Sequence, residues 1–270
     1  MRLRDRLLTI LGGLKVFRWP MWLVYDPGSY RVKGRDAREV MELARPGDVL
    51  VRGYDDYLDG KLIPGLFSHA GLYLGRTTDA DVAAAPPRHR SRIAVGPQTV
   101  IHAIAEGVRT EDLLDFCRCD RLVVLRFPAA MRAEPGAPAA DPGKLEPGER
   151  ALHDRLAGGG EVPFEEAWPI VRRAALADVG RGYDFAFDFS DPRRLNCTEL
   201  VHHATRALAP FHGVRPERHR ILFLSGVGIT PDAFVASPLE LVWASASIDR
   251  RRLEALRGRA RPLPARGRAA

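Results

Sequence analysis

Cysteine is scarce in this chain of 270 residues, which carries only Cys117, Cys119 and Cys197. A secreted domain held together by disulfides has more cysteines and an even number of them, so we predict no disulfide framework and a reducing compartment. Cys117 and Cys119 are too close in sequence for an ordinary structural bridge, and no second Cys/His pair follows them at zinc-site spacing. We therefore expect these two residues to be inert and to lie near the end of a strand.

Long apolar runs are also absent, and nothing approaches the ~20 apolar residues that a membrane-spanning helix requires. The short apolar run at 7–11 is followed by no small-x-small cleavage site, so we do not predict a signal peptide. We nevertheless expect residues 1–40 to form an N-terminal arm, and the first two dozen of these residues combine apolar, aromatic and basic side chains. Two interpretations stay open: the arm lies on a membrane interface, or it packs onto the core. The expected location is cytoplasmic, with peripheral membrane contact under the first interpretation.

Acidic residues are outnumbered by basic ones, which gives a net charge of +7, and nearly all the basic residues are arginines. Much of this excess lies in the N-terminal arm and in a basic tail at 250–270. No compact patch of basic and aromatic residues occurs, so we expect no specific nucleic-acid partner. The remaining composition, 46% hydrophobic and 28% charged, is that of an ordinary globular protein.

Hydrophobic periodicity along the chain predicts a mixed α+β domain. Helices are predicted at 36–43, 165–179, 197–208 and from 230 onward, and strands at 49–52, 68–74, 99–105, 121–127 and 239–244. The stretch 79–97 is predicted to be a loop. The stretch at about 128–160 is crowded with Pro, Gly, Ala and Glu, and we predict an exposed insertion there. We therefore predict one globular domain at 41–249, interrupted by this insertion.

The segment around Cys197 places a cysteine at the start of a helix. Asn196 is a good N-cap, and Glu199 stands where the carboxylate of a capping box belongs. Free N–H groups and the helix dipole would stabilise a thiolate in the first turn, so we expect a lowered pKa for Cys197. The same N–H groups can serve as oxyanion-hole donors. The alternative is a buried structural cysteine.

A nucleophilic thiolate needs a histidine partner, and His69 is the best candidate. It lies on a predicted strand whose alternation puts His69, Gly71 and Tyr73 on one face. The small neighbours Ala70 and Gly71 would let a helix and its thiol approach closely. His102, on the following strand, can orient the imidazole of His69.

Three segments in a specific order resemble the permuted NlpC-type, papain-like cysteine hydrolases, the YiiX-like permuted papain-like amidases. The segments are Arg-Pro-Gly-Asp at 45–48 leading to Ser-His-Ala-Gly-Leu-Tyr-Leu-Gly at 68–75, then Thr-Val-Ile-His-Ala at 99–103, then Gly-Tyr-Asp at 182–184 through Asn-Cys-Thr-Glu-Leu-Val at 196–201. In papain-like enzymes of the usual order the cysteine precedes the histidine. Here His69 comes first, as in the permuted branch.

This resemblance implies an α+β fold, papain-like and circularly permuted, with an antiparallel sheet packed against the nucleophile-bearing helix. It implies that Cys197 is the nucleophile and His69 the general base in a catalytic domain at 41–249. The third, orienting position corresponds to His102, where bacterial members often have a glutamate, and Glu106 is a nearby substitute. A histidine at this position is similar to the more distant lecithin retinol acyltransferase-like proteins, which process lipids.

The resemblance also implies the kind of chemistry and the pocket. Tyr183 matches a recurrent tyrosine before the nucleophile and either lines the substrate pocket or is a core aromatic. Tyr73 shares the face of His69 and is a second candidate for substrate binding. The implied reaction cleaves an amide or ester of a small-molecule, lipid or peptide substrate through an acyl-enzyme, without a metal or organic cofactor. An acyltransferase and a non-catalytic lipid-binding module on the same fold are the alternatives.

Overall fold

The computed structural model describes residues 30–55, 65–133, 145–187, 191, 193–221 and 224–258. Most of the predicted N-terminal arm, the middle of the predicted insertion and the end of the basic tail therefore lie outside the described residues. Among the described residues, no helix is long and apolar enough to cross a membrane.

Six antiparallel strands form the central sheet, in the order β10-β5-β1-β2-β3-β4. They are β1 (Val49–Gly53), β2 (His69–Thr77), β3 (Gly96–Ile104), β4 (Gly107–Asp112), β5 (Arg121–Arg126) and β10 (Glu240–Ala244). The predicted α+β class and antiparallel sheet are confirmed. Strand β4 was not predicted, because only a two-residue turn separates it from β3. Gly107 makes that turn possible with a φ of 105°, a conformation that favours glycine.

Two smaller two-stranded sheets and a set of helices surround this sheet. The small sheets pair β6 (Ala130–Arg132) with β7 (Glu161–Pro163), and β8 (Glu217–Ile221) with β9 (Leu224–Gly228). The helices are α1 (Gly34–Leu43), α2 (Asp79–Ala84), α3 (Leu113–Phe116), α4 (Pro147–Ala157), α5 (Phe164–Ala177), α6 (Cys197–Ala204), α7 (Ala209–His212), α8 (Pro231–Val235) and α9 (Arg250–Arg257).

Several local predictions need correction. The loop predicted at 79–97 contains α2 and a 3-10 turn at Pro87–Arg92. The stretch predicted as an exposed insertion forms β6 and α4 in its described parts, and Leu152 and Leu156 of α4 are buried in the main core. A capping box between Glu146 and Glu149 starts α4 despite the Pro- and Gly-rich composition. The helix predicted at 197–208 ends at Ala204 and continues as a 3-10 turn and α7.

The two faces of the central sheet belong to different hydrophobic clusters. Because successive strand residues point to opposite faces, Val51, Ala70 and Leu72 share one face while Leu50 and Tyr73 share the other. Helices α5 and α6 pack against the first face. Helices α1 and α3 cover the second. The helix that carries Cys197 is therefore separated by the sheet from the face to which Tyr73 points.

Candidate active site

Cys197 is the first residue of α6, and the predicted cap is confirmed in detail. The Oδ1 atom of Asn196 accepts the backbone N–H groups of Thr198 and Glu199, both at 3.0 Å. In return, Oε2 of Glu199 accepts the backbone N–H of Asn196 at 3.0 Å, which completes the capping box. Only 2% of Cys197 is exposed, so the thiol lies inside the protein at the capped end of the helix.

The expectation of a lowered thiol pKa is wrong in this structure. Burial raises the pKa of Cys197 to about 11, and the nearby charge of Glu199 adds to the rise. Backbone N–H groups of Ala70 and Thr198, together with the charge of Arg52, stabilise the thiolate but do not offset the loss of water. The resting group is a neutral thiol.

His69 and His102 lie side by side on neighbouring strands. The Nε2 atom of His69 is 2.9 Å from Nδ1 of His102, and the two rings meet edge to face at 89°. The register of β2 with β3 explains this pairing, because it puts Gly71 opposite His102. His69 precedes Gly71 by two residues on β2 and therefore lies on the same face of the sheet as His102. His102 is fully buried, whereas His69, the first residue of β2, is partly exposed.

Two charged residues that the sequence did not single out complete this cluster. Oε2 of Glu111, on β4, lies 3.5 Å from Nε2 of His102. Arg52, at the end of β1, places Nη1 3.5 Å from Oε1 of Glu111 and donates a 2.8 Å hydrogen bond to the carbonyl of Phe116. The guanidinium also stacks 4.1 Å from the centre of the Phe116 ring. Alternation along β4 would have indicated Glu111 if that strand had been recognised.

Burial and charge together hold both histidines neutral beside an ionised carboxylate. Burial, then Arg52 and His102, lower the pKa of His69 well below its ordinary value. Burial also lowers the pKa of His102, although Glu111 acts in the opposite direction. Burial works to raise the pKa of Glu111, but His102, Arg52 and Arg109 outweigh it and leave the pKa lowered. The rings can therefore accept protons at neutral pH, and the carboxylate can accept hydrogen bonds.

The thiol and the imidazole both lie near the first residues of β2, where the ring of His69 and the helix α6 are on opposite faces of the sheet. The ring of His69 packs against Phe116, with 5.8 Å between the ring centres, on the face covered by α1 and α3. The sulfur of Cys197 interacts with the backbone N–H of Ala70, the residue that follows His69, and α6 covers the opposite face. Gly71 does not face the thiol helix as expected, because a Cβ atom at this position would point at Phe116 and Val100.

The remaining candidate residues are Tyr73, Tyr183 and Glu106. Tyr73 is only 3% exposed, and burial raises the pKa of its phenol. Tyr183 is half-buried and packs against Phe185, with 4.8 Å between the ring centres. Glu106 is exposed in the turn between β3 and β4. Of the two candidates for the orienting position, His102 and Glu106, His102 is the one whose ring contacts His69, at 2.9 Å.

The other two cysteines are free and buried beside α3. Burial raises the pKa of Cys117 to about 12, and it raises the pKa of Cys119 even further above the ordinary value. Both thiols are therefore protonated near neutral pH. Within the part of the chain that the structure describes, no group of three or more His, Cys, Asp and Glu side chains could hold a metal ion.

Comparison with known proteins finds little sequence similarity. No family model matches the chain, and no curated protein matches it significantly. Among solved structures, the crystal structure of the metalloprotein YiiX from Escherichia coli O157:H7 aligns with a TM-score of 0.44 and 15% sequence identity. The alignment covers 75% of this chain and 98% of that one.

Proposed function

We propose that this protein is a cysteine-dependent hydrolase that cleaves an amide or ester bond through an acyl-enzyme on Cys197. The observation that carries the proposal is the 2.9 Å contact between His69 and His102, together with a buried thiol that accepts the backbone N–H of Ala70, the residue after His69. A cysteine nucleophile, a basic imidazole and a group that orients it make up the arrangement that such catalysis needs. The order His69 before Cys197 further supports a circularly permuted papain-like arrangement.

In the proposed mechanism the thiol and the imidazole are both neutral before reaction. His69 uses Nε2 for its contact with His102, which leaves Nδ1 to take the thiol proton as the sulfur attacks the substrate carbonyl. The resulting imidazolium gives this proton to the leaving amine or alcohol, and a thioester with Cys197 remains. His69 then removes a proton from water as the water oxygen attacks the thioester. The C–S bond breaks, the acid is released, and the imidazolium returns its proton to the sulfur of Cys197. No step requires a metal or an organic cofactor.

For the substrate we propose a lipid-linked acyl group, with a peptide amide as the competing class. Two features favour the lipid: the histidine at position 102, as in the lipid-processing relatives that the sequence resembles, and the apolar, aromatic and basic N-terminal segment. The same acyl-enzyme would give an acyltransferase if an amine or a lipid reached it before water. The cytoplasm, with peripheral membrane contact through the arm, is the location that fits this substrate.

The decisive experiment compares the wild type with Cys197→Ala and Cys117→Ala. Short- and long-chain activated acyl esters and peptide amides are offered to each protein, with and without an added amine. We expect Cys197→Ala to abolish turnover and Cys117→Ala, which removes another buried thiol, to retain it. Preference for the long-chain ester supports a lipid substrate, and an acylated amine product identifies a transferase. Equal turnover by Cys197→Ala and wild type overturns the proposal. No Cys197-dependent turnover, with vesicle binding intact, favours the lipid-binding module.

A further inference from the structure

We infer that Glu111 is a positioning residue, which determines through His102 which ring nitrogen of His69 is free to act as the base. This inference rests on the proposed function but concerns a residue that the proposed reaction does not itself require. It starts from two contacts of His102: Nδ1 lies 2.9 Å from Nε2 of His69, and the buried Nε2, which makes no hydrogen bond of ordinary geometry, lies 3.5 Å from Oε2 of Glu111.

The direction of these contacts follows from what each group can donate. An ionised carboxylate can only accept hydrogen bonds and favours an N–H on the nitrogen that faces it, so we assign the proton of His102 to Nε2, 3.5 Å from Glu111. A neutral imidazole carries one N–H, so Nδ1 of His102 is then an acceptor. Its partner, Nε2 of His69, must therefore be the donor in the 2.9 Å contact. This leaves the lone pair of His69 on Nδ1, the nitrogen that the proposed mechanism uses as the base.

The charge of Glu111 also bears on the imidazolium that forms when His69 takes the thiol proton. The guanidinium groups of Arg52 and Arg109 repel a positive charge on His102 and so lower its pKa. Arg52 has the same effect on His69. Glu111 is the carboxylate beside this pair of rings, and it faces both guanidinium groups. In a buried site such charges interact strongly, so the loss of Glu111 would leave the imidazolium beside uncompensated arginines.

The other titratable groups around the cluster do not take over this role. On the α3 side, Cys117 and Cys119 lie near Arg52 and remain uncharged, because burial raises the pKa of both. Asp112 acts on Cys117 and Tyr73 rather than on either histidine. On the α6 side, Glu199 acts on Cys197 and is held in the capping box.

Glu111→Gln tests the inference, because it keeps the size of the side chain and removes its charge. We expect kcat/KM for an activated acyl ester at neutral pH to fall about 10- to 100-fold. The acid limb of the pH profile should move to lower pH, because Glu111 raises the pKa of His102 and so favours a proton on the hydrogen-bonded pair of His102 and His69. Glu240→Gln, which removes an exposed carboxylate from β10 of the same sheet, is the matched control and should leave both quantities unchanged.

A double-variant cycle separates action through His102 from a general structural effect. If Glu111 acts through His102, Glu111→Gln should lower kcat/KM less than twofold in a His102→Gln background. Equal losses in both backgrounds, or an unshifted acid limb, overturn the inference. Ring-nitrogen NMR shifts supply a readout without turnover: the wild type should show His69 protonated on Nε2 and bare on Nδ1. The opposite tautomer would also overturn it.

The two proposals fail differently. If Cys197→Ala retains turnover, the proposed function itself is overturned. If turnover depends on Cys197 but Glu111→Gln leaves it unchanged, only the role of Glu111 is overturned.

Discussion

Gly71 lies directly beneath the ring of Phe116. A Cβ atom at this position would be 2.8 Å from Cε2 of Phe116 and 2.8 Å from Cγ1 of Val100. The same Phe116 ring packs against His69 and His102, with ring-centre distances of 5.8 and 5.6 Å. The missing side chain of Gly71 therefore allows Phe116 to support both imidazoles.

Substitution of Gly71 by alanine should displace Phe116 and loosen the histidine pair. We expect Gly71→Ala to lower the free energy of unfolding by about 1–3 kcal/mol, as overpacking of a core does. Acyl ester turnover should fall more than stability alone explains. Gly96→Ala on β3 is the control, because its Cβ would meet only Thr99 at an ordinary 3.7 Å. Denaturant unfolding and steady-state kinetics measure both effects, and unchanged turnover by Gly71→Ala would contradict the expected support.

The raised pKa of Cys197 predicts how the thiol reacts with small alkylating agents. With a pKa of about 11, the thiolate fraction grows about tenfold per pH unit through the neutral and mildly alkaline range. The rate of iodoacetamide labelling at Cys197 should therefore rise without a plateau between pH 6 and 10. Cys197→Ala gives the background from the other two thiols. A plateau below pH 8 would reveal a resting thiolate–imidazolium pair and contradict the neutral pair inferred above.

Asn196 gives a test of how far the cap of α6 matters for function. Asn196→Ala removes the acceptor of two backbone N–H groups, and we expect it to cost about 1 kcal/mol of stability. Turnover should also fall, because the start of α6 carries Cys197. Asp249→Ala removes the equivalent cap of α9 and should cost a similar stability with turnover unchanged. Equal turnover by the two variants would show that the cap does not position the thiol.

Asp232 anchors the segment that leads into β2 and His69. Its carboxylate accepts the N–H of Leu66 at 2.9 Å and the N–H of Phe67 at 3.0 Å. Asp232→Ala would leave both buried donors unpaired, and we expect it to lower the free energy of unfolding by about 2–4 kcal/mol. Burial raises the pKa of Asp232, so ionisation is already costly, and Asp232→Asn should lose less than the alanine variant. The order of the two variants in thermal unfolding checks the prediction.

Local patterns in the sequence were sufficient for several features of the fold and the site. The start of α6 was predictable, because Asn196 and Glu199 form a cap from residues only three positions apart. The strands that carry His69 and His102 were predictable from their alternation, although their ends were shifted by a few residues. Helix α4 was missed, since its Pro- and Gly-rich surroundings obscured the short apolar stripe that packs into the core.

The sequence by itself determined that a cysteine starts a helix, that two histidines lie on successive strands, and that the fold is α+β. Only the tertiary structure decided the protonation of Cys197, because desolvation depends on everything that excludes water from the sulfur. It also decided the surroundings of the histidines. Arg52 and Glu111 meet there through the pairing of β1, β2, β3 and β4, which brings residues 59 positions apart to within 3.5 Å.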